Sequence, residues 1–196
     1  MKLIPMLSIG LFNAWIPLIL YSIIVFGLMF TFKKDIRKKF FDRSNIPRRY
    51  LPIVIIHKSS SLFLIILFFL SPIAINVPTL AAGSFLFIVG ISIVISAMLS
   101  FSKTPIDGPV VSGLYKFSRN PQDVGISIVI LSICIMTNTI SLLILFLINK
   151  ILSHALTLSE ENQCLLKYGK PYEEYMKKVP RYFIFYLFSE QFRYFV

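Results

Sequence analysis

Residues Arg119 to Ile148 read RNPQDVGISIVILSICIMTNTISLLILFLI. Two apolar runs, Val124 to Met136 and Ile140 to Ile148, flank the short polar turn Thr137-Asn138-Thr139. Neither run carries a charge, and the first is short for a single crossing of a hydrocarbon core about 30 Å thick. The pair therefore reads as a tight helical hairpin in a membrane, one that does not span it fully. Asn120 is a favoured N-cap type, and Pro121 suits the first helical position, where proline's missing N–H would go unpaired anyway. The first arm thus starts at Asn120-Pro121.

Outward from the hairpin the chain stays apolar. Of its 196 residues 56% are hydrophobic and only 15% charged, and the mean hydropathy is +0.77. A soluble domain of this length has too little interior for that much apolar surface. Three further runs are long enough to cross, at about Ile9 to Phe32 (interrupted by Pro17), Ile53 to Ile75 and Leu80 to Phe101. Five crossings are expected, in an all-α integral membrane bundle with a C-terminal helical hairpin and a cytoplasmic helical tail. The first run lacks a small-residue cleavage site and ends in a basic block, as a retained span does and a secretory signal does not.

Charge sets the orientation. Lys and Arg number 20 against 9 Asp and Glu. On a soluble chain that excess would suggest nucleic acid. Here it falls between apolar runs, so the anionic cytoplasmic leaflet is the expected partner. Residues 33 to 49, KKDIRKKFFDRSNIPRR, hold eight basic and two acidic residues. The positive-inside tendency makes this loop cytoplasmic, the N-terminus outside and the C-terminus cytoplasmic. Cys134 and Cys164 lie thirty residues apart with no Cys/His pair nearby, which fits neither zinc nor a disulfide framework. Two regions are expected: 1–101, an N-terminal three-span region, and 102–196, a loop, the hairpin and the tail.

The candidate chemistry comes from folding the hairpin about Asn138. Eighteen residues back lies Asn120 and eighteen forward lies Leu156. Antiparallel helices of equal rise make these level, so Glu160-Glu161 sits about one turn beyond, near Tyr115 to Arg119. The free N–H groups and positive dipole end at Asn120, beside Arg119, favour an anion. Facing two carboxylates, they suit a zwitterionic ligand with a carboxylate and positive groups, or else simply a salt bridge that pins the hairpin.

GLYKFSRNP (Gly113 to Pro121), an apolar hairpin and EENQCLLKYGKPYEEYMKKVPRYF (Glu160 to Phe183) together resemble the membrane methyltransferases, comprising the isoprenylcysteine carboxyl methyltransferases and phospholipid N-methyltransferases. The resemblance lies in a G-x-Y-x-x-x-R-[HN]-P segment, an E-E pair and a Y-G-x-x-Y-x-x-Y segment ending near V-x-R, and it covers roughly the last eighty-five residues. It implies S-adenosyl-L-methionine as cofactor and methyl transfer to a lipidic or prenylated acceptor, either an isoprenylcysteine carboxylate or a phospholipid amine. It also implies that Arg119, Asn120 and Pro121 frame the cofactor and that Glu160 and Glu161 complete the pocket. Tyr115, Gly125, Tyr168, Tyr172 and Arg181 would line or brace it, with Arg181 and Glu161 among the catalytic positions. The sequence departs from the pattern at Gln122-Asp123, where the family usually has an apolar residue and then Tyr. Two other readings stand beside this one: an NADPH-dependent membrane reductase of the sterol reductase type, usually a longer chain, and a non-catalytic protein retaining the fold.

His154 falls on the Glu161 face of its helix, with Lys150 a turn earlier and Thr157 between. This stripe would line a polar cavity with His154 as a candidate general base, or else His154 snorkels to the cytoplasmic interface, which is the reading favoured for Lys150. Tyr172, Tyr175, Met176 and Val179 recur at helical spacing, which predicts a surface helix after Gly169 that packs over the hairpin. The aromatic tail from Tyr182 to Val196 is too short to span and is expected at the interface.

Overall fold

Asn138 has the left-handed conformation, with φ at 53°, and there the chain doubles back. A short polar side chain tolerates this backbone better than most residues. The computed structural model describes residues 2–41 and 50–183. Its helices are α1 (Trp15–Phe30), α2 (Lys34–Phe41), α3 (Leu51–Leu70), α4 (Val77–Ser102), α5 (Pro121–Thr137), α6 (Ile140–Tyr168) and α7 (Lys170–Lys178), with a 3₁₀ turn at Gly113–Lys116. Among the described residues there is no strand, only two isolated bridges. The protein is an all-α membrane bundle.

Helices α3, α4 and α6 are long and apolar enough to cross a membrane, and α1 and α5 are shorter apolar helices. At 1.5 Å per residue, the 17 residues of α5 extend about 25 Å, short of a full hydrocarbon core. Large apolar side chains face outward along the helices, among them Ile23, Phe26, Ile55, Phe85, Ile88 and Ile151. Such a belt is unfavourable in water and suits lipid.

The first helix begins at Trp15, not near Ile9. Residues 2–14 instead run across one end of the bundle, because its turns leave backbone groups to be paired. The Lys2 N–H donates to the Asn138 carbonyl at 2.8 Å, Ser8 to Leu70 at 2.8 Å and Ala14 to Ser71 at 2.9 Å. The buried amide of Asn13 bonds the carbonyls of Ser8 and Phe69. Pro17 consequently falls in the first turn of α1, where a missing N–H breaks no helical bond. The arm expected to end at Ile148 continues as a single helix to Tyr168, taking the polar Ser159–Lys167 stretch with it.

Glycines set the closest approach. A Cβ at Gly90 would lie 3.0 Å from the Gly125 carbonyl, and one at Gly125 would lie 3.0 Å from the Gly90 carbonyl. Small residues let membrane helices meet backbone to backbone. This contact joins α4 to α5 across the boundary expected after residue 101. Val129, Ile133, Leu142, Phe68 and Phe146 form the main core nearby.

Candidate functional site

At the end of the bundle opposite residues 2–14, three stretches distant in sequence converge on Glu161, whose side chain is 4% exposed. Asn120 Nδ2 donates to its Oε1 at 2.9 Å. Arg119 Nε stands 3.3 Å from the same oxygen, an ion pair without hydrogen-bond alignment. Arg181 donates to Oε2 twice, from Nε at 3.1 Å and Nη2 at 2.9 Å. Asn120 therefore begins α5 without capping it, since no side-chain cap bond forms there and its amide is spent on Glu161.

Backbone contacts hold this arrangement. The Arg119 N–H donates to the Pro180 carbonyl at 2.9 Å, and Ser118 Oγ to the Arg181 carbonyl at 2.9 Å. Gly113 has φ of +61°, and a Cβ there would strike Ser100 Oγ. Only glycine lets the 3₁₀ turn sit this close to α4. Gly169, with φ of +60°, reverses the chain from α6 into α7. Helix α7 then buries Tyr172 and Tyr175, and the Tyr175 hydroxyl donates to the Tyr115 carbonyl at 2.7 Å. Burial pushes the phenols of Tyr115, Tyr172 and Tyr175 well up, so each stays a neutral donor.

Beside Glu161 lies a cavity of about 510 Å³, within the usual range of roughly 300–1,000 Å³ for small-molecule sites. One face of α6 lines its length, including Phe146, Asn149, Lys150, Ser153, Thr157, Glu161, Cys164 and Tyr168. Opposite are Arg119, Asn120, Gln122 and Asp123 of the α5 start, Lys39 of α2, and His57 and Ser61 of α3. Gln163, which lines the cavity, has a buried Nε2 without a hydrogen-bond partner among the described residues. Buried donors are rarely left unpaired, and one beside a cavity suits a ligand's acceptor.

Of the residues singled out from sequence, Tyr115, Arg119, Asn120, Glu160, Glu161, Tyr168 and Tyr172 line this cavity. Arg181 reaches it only through Glu161. Pro121 is buried as the first residue of α5, and Gly125 faces Gly90 of α4. His154 turns away, its Nδ1 standing 3.0 Å from the Tyr182 hydroxyl. Lys150 pairs with Asp123 Oδ2, while Ser153 Oγ donates to Asp123 Oδ1 at 3.1 Å. Residues 184–196, most of the aromatic tail, and 42–49 of the basic loop lie outside the described residues.

Sequence reasoning passed over Lys39, His57, Ser61 and Gln163. For His57 and Ser61 the signal is a polar run, HKSSS, inside the otherwise apolar α3. Lys39 donates to the carbonyls of Pro105 and Gly108, both at 2.7 Å, and tethers α2 to the loop after α4. Burial, and then the nearby Lys167, lower its pKa.

The fold and the site define a helical membrane protein with a polar cavity at one end of its bundle. Residues 78–171 match the family model of the phospholipid methyltransferases. This part of the chain, α4 through the start of α7, is similar to a phospholipid methyltransferase domain. Neither the curated proteins nor the solved structures include a match to the chain.

Proposed function

We propose that the protein transfers a methyl group from S-adenosylmethionine to the headgroup of a phospholipid, at the face of the membrane bearing its basic loops. The cofactor, when bound, supplies a methyl group on a sulfonium. Two arginines share one carboxylate at Glu161, and Glu160 and Asp123 line the same cavity. Cationic and anionic groups side by side suit a zwitterionic ligand, such as the amino-acid end of the cofactor. The amide of Gln163, unpaired among the described residues, adds a donor for a further ligand oxygen or ring nitrogen. Glu161 itself holds Arg119, Asn120 and Arg181 in register and is a positioning residue. Preorganised groups contribute mainly orientation, which suits direct displacement of S-adenosylhomocysteine by the headgroup amine once the amine has given up a proton to water or a cavity carboxylate.

The observation that carries this reading is the convergence of Arg119-Asn120, Glu161 and Arg181 beside a cavity lined by polar side chains. Basic residues crowd that end of the bundle, in α2, after α4 and in α7, whereas residues 1–32 hold only Lys2. By the charge rule that end is cytoplasmic and the N-terminus lies outside.

The test is thermal unfolding of detergent-purified protein with S-adenosylhomocysteine or NADPH. Stabilisation by the first and not the second is expected, and its loss in Arg119→Ala, with the variant still folded. If the wild-type protein ignores S-adenosylhomocysteine, the proposal fails.

A further inference from the structure

Asp123 and Lys150 form a pair that the fold does not obviously need. Asp123 is the one charged residue of α5 and Lys150 follows the apolar first half of α6, and both line the cavity at about a quarter exposure. Asp123 lies three residues along α5 from Asn120, about 4.5 Å of helix rise, so the pair adjoins the Glu161 cluster. Ser153 holds the second carboxylate oxygen, and the Lys150 ammonium also sits 5.2 Å from the Tyr182 ring centroid. Two opposite charges inside a cavity wall resemble, in miniature, a zwitterionic headgroup.

We propose that the Asp123–Lys150 pair recognises the acceptor's headgroup by exchanging partners with it. The headgroup ammonium takes the place of the Lys150 ammonium on Asp123, and Lys150 turns to the headgroup phosphate. This rests on the methyltransferase reading and adds the residues that select the acceptor.

Charge conservation is the reason. Stranding one member of a buried pair is costly, because the remaining charge has neither water nor partner. A zwitterion replaces one ion pair with two and strands nothing. An anionic headgroup without an amine would satisfy Lys150 and leave Asp123 alone. A carboxylate-tipped prenyl acceptor would do the same. A lipid amine without phosphate would satisfy Asp123 and strand Lys150. Selectivity thus arises from what the wrong headgroup leaves unpaired.

The experiment measures binding of three short-chain amphiphiles to the full protein in detergent, by thermal stabilisation. They are a phosphoethanolamine lipid, a phosphoglycerol lipid and an alkylamine. Wild type should prefer the zwitterion over either competitor by roughly fivefold or more, about 1 kcal/mol for a pair that keeps some contact with water. Lys150→Met should shift preference to the alkylamine and Asp123→Asn to the phosphoglycerol lipid. Each ratio is taken within one variant, so a change in stability does not confound it. An unchanged order of preference in both single variants overturns the proposal. S-adenosylhomocysteine stabilisation, measured on the same samples, reports separately on the methyltransferase reading.

Discussion

Glu161→Gln removes one charge and little volume, from a carboxylate that joins three stretches of chain. Its Oε2 takes two charge-assisted bonds from Arg181, while its Oε1 takes one from Asn120 and faces Arg119 at 3.3 Å. The glutamine keeps an acceptor for Asn120 but sets a neutral amide against two guanidinium groups. Arg119 is 8% exposed and Arg181 28%. Breaking a buried pair by removing one partner costs about 3–5 kcal/mol. Arg181 can still turn toward solvent and Arg119 cannot, so roughly 3 kcal/mol is the expected loss. At about 2–4 °C per kcal/mol for a chain of this size, the unfolding midpoint in detergent should fall by about 6–12 °C. Glu160→Gln is the control. Glu160 is exposed, and its substitution should cost no more than about 0.5 kcal/mol. Circular dichroism during heating, with both variants beside the wild type, decides the matter. A Glu161→Gln midpoint within about 2 °C of wild type, or an equal fall for Glu160→Gln, would refute the assignment of Glu161 as the joint of the site.

Tyr175→Phe leaves the buried Tyr115 carbonyl without its donor and should cost about 1–3 kcal/mol, read as a lower unfolding midpoint with weaker S-adenosylhomocysteine binding. Gly125→Val drives side-chain atoms into Val94 and the Gly90 carbonyl, so α4 and α5 must separate, with a loss of about 1–3 kcal/mol or outright failure to accumulate in membranes. His154→Gln should retain methyl transfer within about tenfold of wild type, whereas loss of a general base would cost about 100-fold or more. A larger loss in a steady-state assay with labelled cofactor would put His154 back among the catalytic groups.

Much of this architecture was legible because membrane solvation leaves few options. Long apolar runs must be helices, and charge asymmetry orders the loops. The junction was legible too, since an antiparallel hairpin with equal rise on both arms converts sequence distance from Asn138 into height. That arithmetic brings Asn120 and Arg119 to Glu161, some forty residues away. It cannot tell which way a side chain turns. His154 shares a face with Glu161 by spacing, yet it bends to Tyr182, a partner supplied by a later segment. Gly125 sits one turn inside α5 and resembles a cofactor contact in its motif, but the helix it faces is α4. Residues 2–14 were hidden for a related reason: their hydropathy suits a span, and only the unpaired turn carbonyls at the far end draw them out of one.

The departure at Asp123 illustrates how a lone charge in a helix is to be read. Taken alone, a carboxylate one turn into an apolar helix suggests a damaged site, because an unpaired charge there is expensive. Lys150 lies in the second apolar arm, twelve residues beyond Asn138, while Asp123 lies fifteen before it. Two charges of opposite sign, at similar distances from the same turn and on facing helices, cost far less together than either does alone. A chain that only needed the hairpin closed had cheaper means, as the glycines between α4 and α5 demonstrate. Keeping a pair in the cavity wall leaves a local polarity that apolar packing cannot provide. It places a fixed negative charge within a helical turn of Asn120, where an acceptor group must lie if it is to meet a methyl donor held at the Arg119 end.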